Sequence, residues 1–181
     1  MKKIIGFVGH IASGKGAACD YFIEQHHAGY HKFSTMLADL CDRLYLPHNR
    51  DNLIRMSECI RHEFGEDTMA RVIARDVDGD AHEIICVDGI RRLADIVELK
   101  KLPDFVLVYI EADVRTRFAR LAARNEKVDD ATKTFEQFLA DEQRPTELSI
   151  DEVAAEAHLT LSNNGSIEEF HTALDALVQK P

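Results

Sequence analysis

The sequence predicts an α/β domain in three layers, with a parallel sheet of about five strands between two layers of helices. Two observations predict this class. Short apolar runs alternate with longer segments of helical periodicity along the 181 residues, which is typical of βαβ units. The first apolar run leads directly into a glycine-rich segment, GHIASGKG, at residues 9–16. We expect one domain, 1–181, because this length supports one sizeable core and is short for two.

The individual elements follow from local patterns. Apolar and β-branched runs predict strands at 3–8, 29–33, 83–87, 105–110 and 159–161. Apolar residues at helical spacing predict helices at about 14–25, 51–64, 67–76, 114–124, 134–144 and 150–157, with two more after Ser34 and Ser166. Ser34 and Ser166 are the expected N-caps of these two helices, and Gly65 is expected to end the helix before it.

Charge and composition limit the kinds of molecule that this protein is expected to bind. The formal net charge is −10 and the pI is about 5.3, which argues against a nucleic-acid polymer as ligand. Arginines nevertheless cluster in 50–75 and 115–124, and local basic pockets on an acidic protein suit small phosphorylated molecules. The sequence has no apolar run that could span a bilayer, and its four cysteines form no CxxC pair. We therefore expect a cytoplasmic protein, monomeric or homodimeric, without membrane contact.

The glycine-rich segment matches the phosphate-binding pattern GxxxxGK[ST] through Gly9, Gly14 and Lys15. Backbone amides of such a loop form an anion nest, the next helix adds its positive N-terminal end, and the lysine reaches the β- and γ-phosphates. The sequence thus predicts an ATP site. Its expected residues are Gly9, His10, Ile11, Ala12, Ser13, Gly14, Lys15, Gly16 and Ala17.

The same segment departs from the pattern where a metal is usually held. A Ser or Thr normally follows the lysine and contacts Mg²⁺, but Gly16 and Ala17 stand there. Ser13 offers a hydroxyl on the other side of the lysine. We therefore expect Mg²⁺ binding to depend more on Asp88 and on water.

Asp88 ends the strand EIICV and opens the segment DGIRR. A carboxylate there can orient Mg²⁺ or act as base for an acceptor hydroxyl. Arg91 or Arg92 can clamp an acceptor phosphate. The alternative interpretation is an aspartate that caps a helix, beside surface arginines.

A second group of arginines lies on the helix predicted at 114–124. Arg117, Arg120 and Arg124 recur at i, i+3 and i+7 and so project from one side. An anion such as a transferred phosphoryl group would relieve their mutual repulsion. We select Arg120 and Arg124 as catalytic candidates, with surface ion pairs as the alternative.

Four segments in this order, GHIASGKG, VDGIRR, EADVRTRFARLAAR and LTLSNNGSIEEF, resemble the nucleoside monophosphate kinase and dephospho-coenzyme A kinase group of P-loop kinases. The resemblance implies a P-loop core, acceptor-binding helices at about 34–78 and a helical lid at about 115–145. It also implies that Asn163 and Gly165 lie near the adenine, and that Arg55 and Arg61 are candidates for binding an acceptor phosphate.

These observations predict an ATP- and Mg²⁺-dependent phosphotransferase for a nucleotide-like acceptor. A nucleoside or deoxynucleoside monophosphate kinase is the first hypothesis. Dephospho-coenzyme A kinase is the second, because its aspartate-x-aspartate motif is absent and FSTMLADL offers only Asp39. A nucleotide-binding regulatory module with little or no turnover is the alternative of another class, motivated by the missing hydroxyl at position 16.

Overall fold

The sheet of this protein is parallel throughout. A computed structural model describes residues 2–124, 133–143 and 145–179, and within them the strand order is β2-β3-β1-β4-β5. In the central strand, Gly6 lies opposite Val87 of one neighbour and Leu107 of the other. The strands are β1 Lys3–Val8, β2 Gly29–Lys32, β3 Ile84–Asp88, β4 Phe105–Glu111 and β5 Leu159–Ser162. The predicted fold class is confirmed, and each predicted strand boundary is correct to within one residue.

Helices connect these strands over the described part of the chain. They are α1 Lys15–His26, α2 Phe33–Arg43, α3 Arg50–Phe64, α4 Thr68–Gly79, α5 Leu93–Ile96, a 3₁₀ turn Leu99–Lys101, α6 Val114–Arg124, α7 Phe135–Glu142, α8 Pro145–Ala154 and α9 Ile167–Ala176. None of the helices in the described ranges is long and apolar enough to cross a membrane.

Some predicted helix boundaries are wrong. Ser34 lies inside the first turn of α2, because Lys32 is the N-cap and its extended backbone leads straight from β2 into the helix. α8 begins at Pro145 rather than near 150, since proline suits the first helical position. The sequence does not predict α5, because four residues are too few to show a period. Ser166 caps α9 and Gly65 ends α3, as expected.

The two faces of the sheet are covered by different helices. Along β1, Ile4 and Val8 enter one buried cluster, which contains residues of α2, α4 and α8. Ile5 and Phe7 point to the opposite face and pack with residues of α1 and α9. This alternation, with both faces apolar, is the reason a parallel sheet of this kind is buried on both sides. It also places α1 and α8 on opposite sides of the loop that follows β1.

A hydrogen-bonded cluster around Asp80 ties α4 to the start of β3 and to β2. Asp80 accepts bonds from the backbone N–H of His82 and from the rings of His82 and His31. Burial raises the pKa of this carboxyl, but the three hydrogen bonds outweigh burial and hold the pKa at about 2. Folding therefore favours the ionised form of Asp80, and protonating this carboxyl in acid lowers the free energy of unfolding.

Candidate functional site

The loop between β1 and α1 has a backbone that only a few residue types adopt easily. Gly14 has φ 110° and is the N-cap of α1. A Cβ at this position would overlap Asn163 Nδ2. Ala12 also has a positive φ, 59°, in a region where a non-glycine residue is strained. Glycine would adopt the left-handed conformation of Ala12 without this strain.

Lys15 folds back over the loop that precedes it. Its Nζ donates to Gly9 O at 2.6 Å and to His10 O at 3.0 Å. The lysine of a phosphate-binding loop reaches the β- and γ-phosphates, so we expect those phosphates at this end of the loop. Together with the first amides of the twelve-residue α1, the ammonium group creates an anion-binding geometry.

The hydroxyl of Ser13 is enclosed within the loop. Ser13 is buried, and its Oγ has no hydrogen-bond partner. It lies under Gly9, where a Cβ would come within 2.6 Å of it. A Cβ added at Gly16, in contrast, would have no atom within 4 Å, so the absence of a side chain there has no steric cause.

The described residues contain no group of three or more His, Cys, Asp or Glu side chains arranged to hold a metal ion. Mg²⁺ is commonly bound by one or two carboxylates together with phosphate oxygens and waters. The donors present fit that mode rather than a protein cage, and we expect Asp88 to be the carboxylate.

Asp88 lies at the carboxyl end of β3, opposite Lys32 of β2. The carboxylate is buried and accepts bonds from Gly89 N at 2.7 Å and Tyr30 Oη at 3.2 Å, while Lys32 Nζ is 3.5 Å away. Burial and the charge of Asp88 raise the pKa of Tyr30, so this phenol stays a donor. Asp88 is therefore an oriented carboxylate at the edge of the sheet where ligands bind in such folds.

Arg120 reaches from α6 toward the phosphate loop. Its NH2 nitrogen donates to Asn163 Oδ1 at 3.3 Å, and Asn163 Nδ2 donates to Ser13 O at 2.9 Å. The NH1 nitrogen of Arg120 is buried and has no hydrogen-bond partner. A buried guanidinium nitrogen without an acceptor is costly unless an anion completes it. The structure thus brings one of the two selected arginines to the loop.

Arg117, which is not one of the two selected arginines, connects α6 to the segments around it. Its side chain donates to Ala112 O at 2.9 Å and to Ile11 O at 3.4 Å, and it pairs with Glu142 of α7. The side chain of Arg124 lies outside the described residues, as do residues 125–132 and 144 of the predicted lid. For these positions the lid stays a prediction.

The turn after β5 contacts the glycine-rich loop through Asn163. Asn163 is buried, and both ends of its amide are bonded, to Ser13 and Arg120. These bonds brace the loop, and the expected position of Asn163 near adenine stays a prediction. Gly165 is exposed at the same turn and stays a candidate for the base.

The arginines expected to bind an acceptor phosphate are placed unequally. Arg61 is only 6% exposed, and its NH2 donates to buried Asp95 at 2.6 Å. Arg91 is half-exposed, and its NH1 donates to Glu147 Oε1 at 2.9 Å. Arg55 is exposed on α3. Arg61 is therefore held inside the protein by its ion pair with Asp95, and the charge of Arg91 is balanced by the carboxylate of Glu147.

Sequence reasoning missed Glu147, whose surroundings depend on how α8 packs. This residue is 7% exposed, and its Oε2 lies 4.0 Å from Nδ1 of His10 in the phosphate loop. His10 Nε2 lies 2.9 Å from Asp151 Oδ1, one helical turn further along α8. The only local signal is a carboxylate in the first turn of a helix, which usually means favourable interaction with the helix dipole.

Comparison with known proteins places the chain in a family. No family model matches it. A UPF0200 protein of Hyperthermus butylicus is 32% identical over 130 residues, which cover 72% of this chain and 69% of that relative. The chain belongs to the UPF0200 family. A UPF0200 protein of Sulfurisphaera tokodaii is 27% identical over 179 residues, 98% of this chain and 97% of its own. The names of these two relatives state no activity.

Solved structures with similar folds include kinases. TT1252 from Thermus thermophilus superposes with a TM-score of 0.66 at 18% identity, over 98% of this chain and 96% of its own. A shikimate kinase from Bacteroides thetaiotaomicron has a TM-score of 0.63 at 11% identity, over 97% and 96%. At such identities the likeness concerns the fold alone, and this protein has the α/β fold of P-loop kinases.

Proposed function

We propose that this protein transfers a phosphoryl group from ATP to a small nucleotide-like acceptor, with Mg²⁺. The observation that carries the proposal is Arg120, whose NH1 is buried without a partner beside an asparagine that touches the phosphate loop. A guanidinium nitrogen that is already shielded from water at that place is suited to an anion that arrives with the nucleotide.

The proposed roles follow from the geometry of the site. Lys15 and the loop amides hold the donor phosphates, since the lysine already lies over Gly9 and His10. Arg120 neutralises charge on the transferred group. Asp88 orients the metal or the acceptor from the neighbouring strand. Mg²⁺, when bound, offsets the charge of the phosphate oxygens.

Two acceptor hypotheses within this function remain, nucleoside or deoxynucleoside monophosphates and dephospho-coenzyme A. Shikimate is a further acceptor to test, because kinases of similar fold are named for it. A regulatory nucleotide-binding module is the candidate of another class, favoured by the absence of a hydroxyl at Gly16 and Ala17.

The deciding experiment measures ADP formation from ATP and Mg²⁺ in the presence of each acceptor. We expect at least one acceptor to stimulate ADP release, and Lys15→Ala to abolish the stimulation. Lys101→Ala is the matched control, because Lys101 is exposed and pairs only with Glu98 on its own turn in the described contacts. ATP binding without any acceptor-dependent ADP would replace the kinase with the regulatory module. Stimulation that survives Lys15→Ala would overturn the site assignment.

A further inference from the structure

Two hydrogen-bonding atoms without partners face each other beside the phosphate loop. They are His10 Nδ1 and Glu147 Oε2, which are 4.0 Å apart, and both are buried. Each side chain is held from its other end. His10 Nε2 lies 2.9 Å from Asp151 Oδ1, and Glu147 Oε1 accepts from Arg91 NH1 at 2.9 Å. Buried polar atoms of a folded protein are normally satisfied, so this pair calls for a ligand.

The chemistry of the two atoms specifies a hydrogen-bond donor. A carboxylate oxygen can only accept, so we place the proton of the His10–Asp151 hydrogen bond on His10 Nε2; in that imidazole tautomer Nδ1 is an acceptor. Glu147 Oε2 is an acceptor as well. An oxygen atom about 2.8 Å from each is compatible with their separation of 4.0 Å. A hydroxyl group has that size and brings the proton that a carboxylate needs.

The position of the pair relates it to the transferred phosphoryl group. His10 O accepts from Lys15 Nζ at 3.0 Å, and this lysine reaches the β- and γ-phosphates in loops of this kind. Arg91, which holds Glu147, follows directly on the Asp88-Gly89-Ile90 corner. The two atoms therefore lie at the γ-phosphate end of the loop, on the side of the acceptor.

We propose that His10 and Glu147 bind the hydroxyl group that becomes phosphorylated, and that Glu147 takes its proton. This inference rests on the proposed function and narrows its acceptor to an alcohol. The acceptor O–H bond breaks and the proton passes to Glu147 Oε2. The acceptor oxygen bonds to the γ-phosphorus, and the bond from phosphorus to the β,γ-bridging oxygen breaks, so that the electron pair leaves with ADP. His10 is a positioning residue, whose ring is fixed by Asp151.

A phosphate acceptor fits these surroundings less well. Its attacking oxygen is already ionised and needs no base, and a buried carboxylate at this place would repel it. Two of the arginines that could offset this repulsion already have carboxylate partners, because Arg61 pairs with Asp95 and Arg91 with Glu147 itself. The charges near the pair thus favour a neutral hydroxyl over a second phosphate.

The first test identifies the bond that forms. The protein is incubated with ATP, Mg²⁺ and one of four probes, AMP, dTMP, adenosine or dephospho-coenzyme A, and the products are analysed by phosphorus NMR. A new phosphomonoester on a hydroxyl is expected. A phosphoanhydride as the only product would overturn the inference and leave the proposed function standing. No transfer to any probe would overturn both.

The second test uses the reactive probe and the variant Glu147→Gln. Glutamine keeps the length of the side chain and a carbonyl for Arg91, but it is not a base. We expect kcat to fall by about 10²–10⁴-fold, with the KM for ATP unchanged and the acidic limb of the kcat pH profile lost. Glu152→Gln is the matched control, because Glu152 is exposed on the same helix.

Two further variants keep the test decisive if Glu147→Gln unfolds. Glu147→Asp keeps the charge and withdraws the carboxylate by one methylene, so that kcat should fall while the acidic limb remains. His10→Asn should raise the KM for the acceptor more than it lowers kcat. The inference would be overturned if kcat stayed within about twofold of the wild type in both Glu147 variants. It would also be overturned if these variants lost affinity for ATP by the same factor as they lost kcat.

Discussion

The buried pair of Arg61 and Asp95 allows a stability prediction that separates a structural arginine from a substrate-binding one. Arg61 is 6% and Asp95 2% exposed, and the second oxygen of Asp95 accepts from the backbone N–H groups of Arg91 and Arg92 at 2.9 and 3.0 Å. Arg61→Met keeps most of the apolar stem and leaves Asp95 buried without its cation. Removing one partner of such a pair costs about 3–5 kcal/mol, which for a chain of this size lowers Tm by roughly 6–20 °C.

Urea unfolding followed by circular dichroism would measure this loss at neutral pH. A double-mutant cycle with Asp95→Asn should give a coupling free energy of about 1–3 kcal/mol. Arg71→Met is the matched control, because Arg71 and Asp67 form an exposed pair at 3.1 Å whose loss costs less than about 1 kcal/mol. The reasoning would be refuted if Arg61→Met were no less stable than Arg71→Met. A rise in the KM for the acceptor without a loss of stability would indicate that Arg61 binds substrate.

Three other predictions concern the phosphate loop, the acid response and the arginine of α6. Gly14→Ala should lose ATP binding and lower Tm, because the new Cβ would overlap Asn163 and the backbone there has a positive φ. Gly16→Ala is the control, because a Cβ there has open space around it, and it should keep its Tm in thermal melts. The pKa of Asp80 is about 2 in the folded protein against the ordinary value of 3.8, so its contribution to the free energy of unfolding is complete above about pH 5 and is lost as the pH falls toward 2. Asp80→Asn should flatten this loss, about 2 kcal/mol, in urea titrations. Arg120→Ala should lower kcat by about 10²–10³-fold with a smaller change in ATP affinity measured by titration calorimetry, and an unchanged kcat would make it a surface residue.

Local sequence determined those features that depend on neighbouring residues. The apolar runs define five strands because a strand buried on both faces needs apolar side chains in both directions. The glycines and lysine of 9–16 define the loop because its backbone conformation and its charge come from consecutive residues. Asp88 follows from the same logic, since it ends a buried strand beside the one that precedes the loop.

Only the tertiary structure decided which charged groups are available to a ligand. Arg61 of α3 and Asp95 of α5 are 34 residues apart in the chain, and no pattern within either helix predicts their contact. The bond from Asn163 to Ser13 O joins residues 150 positions apart, and no local pattern predicts that it braces the loop. Glu147 faces His10 because α8 packs on β1. Ion pairing and burial depend on distances between segments that are far apart in the chain. The sequence by itself therefore predicts the phosphate-binding loop, whereas the packing of the helices determines which charged side chains around it are paired or buried.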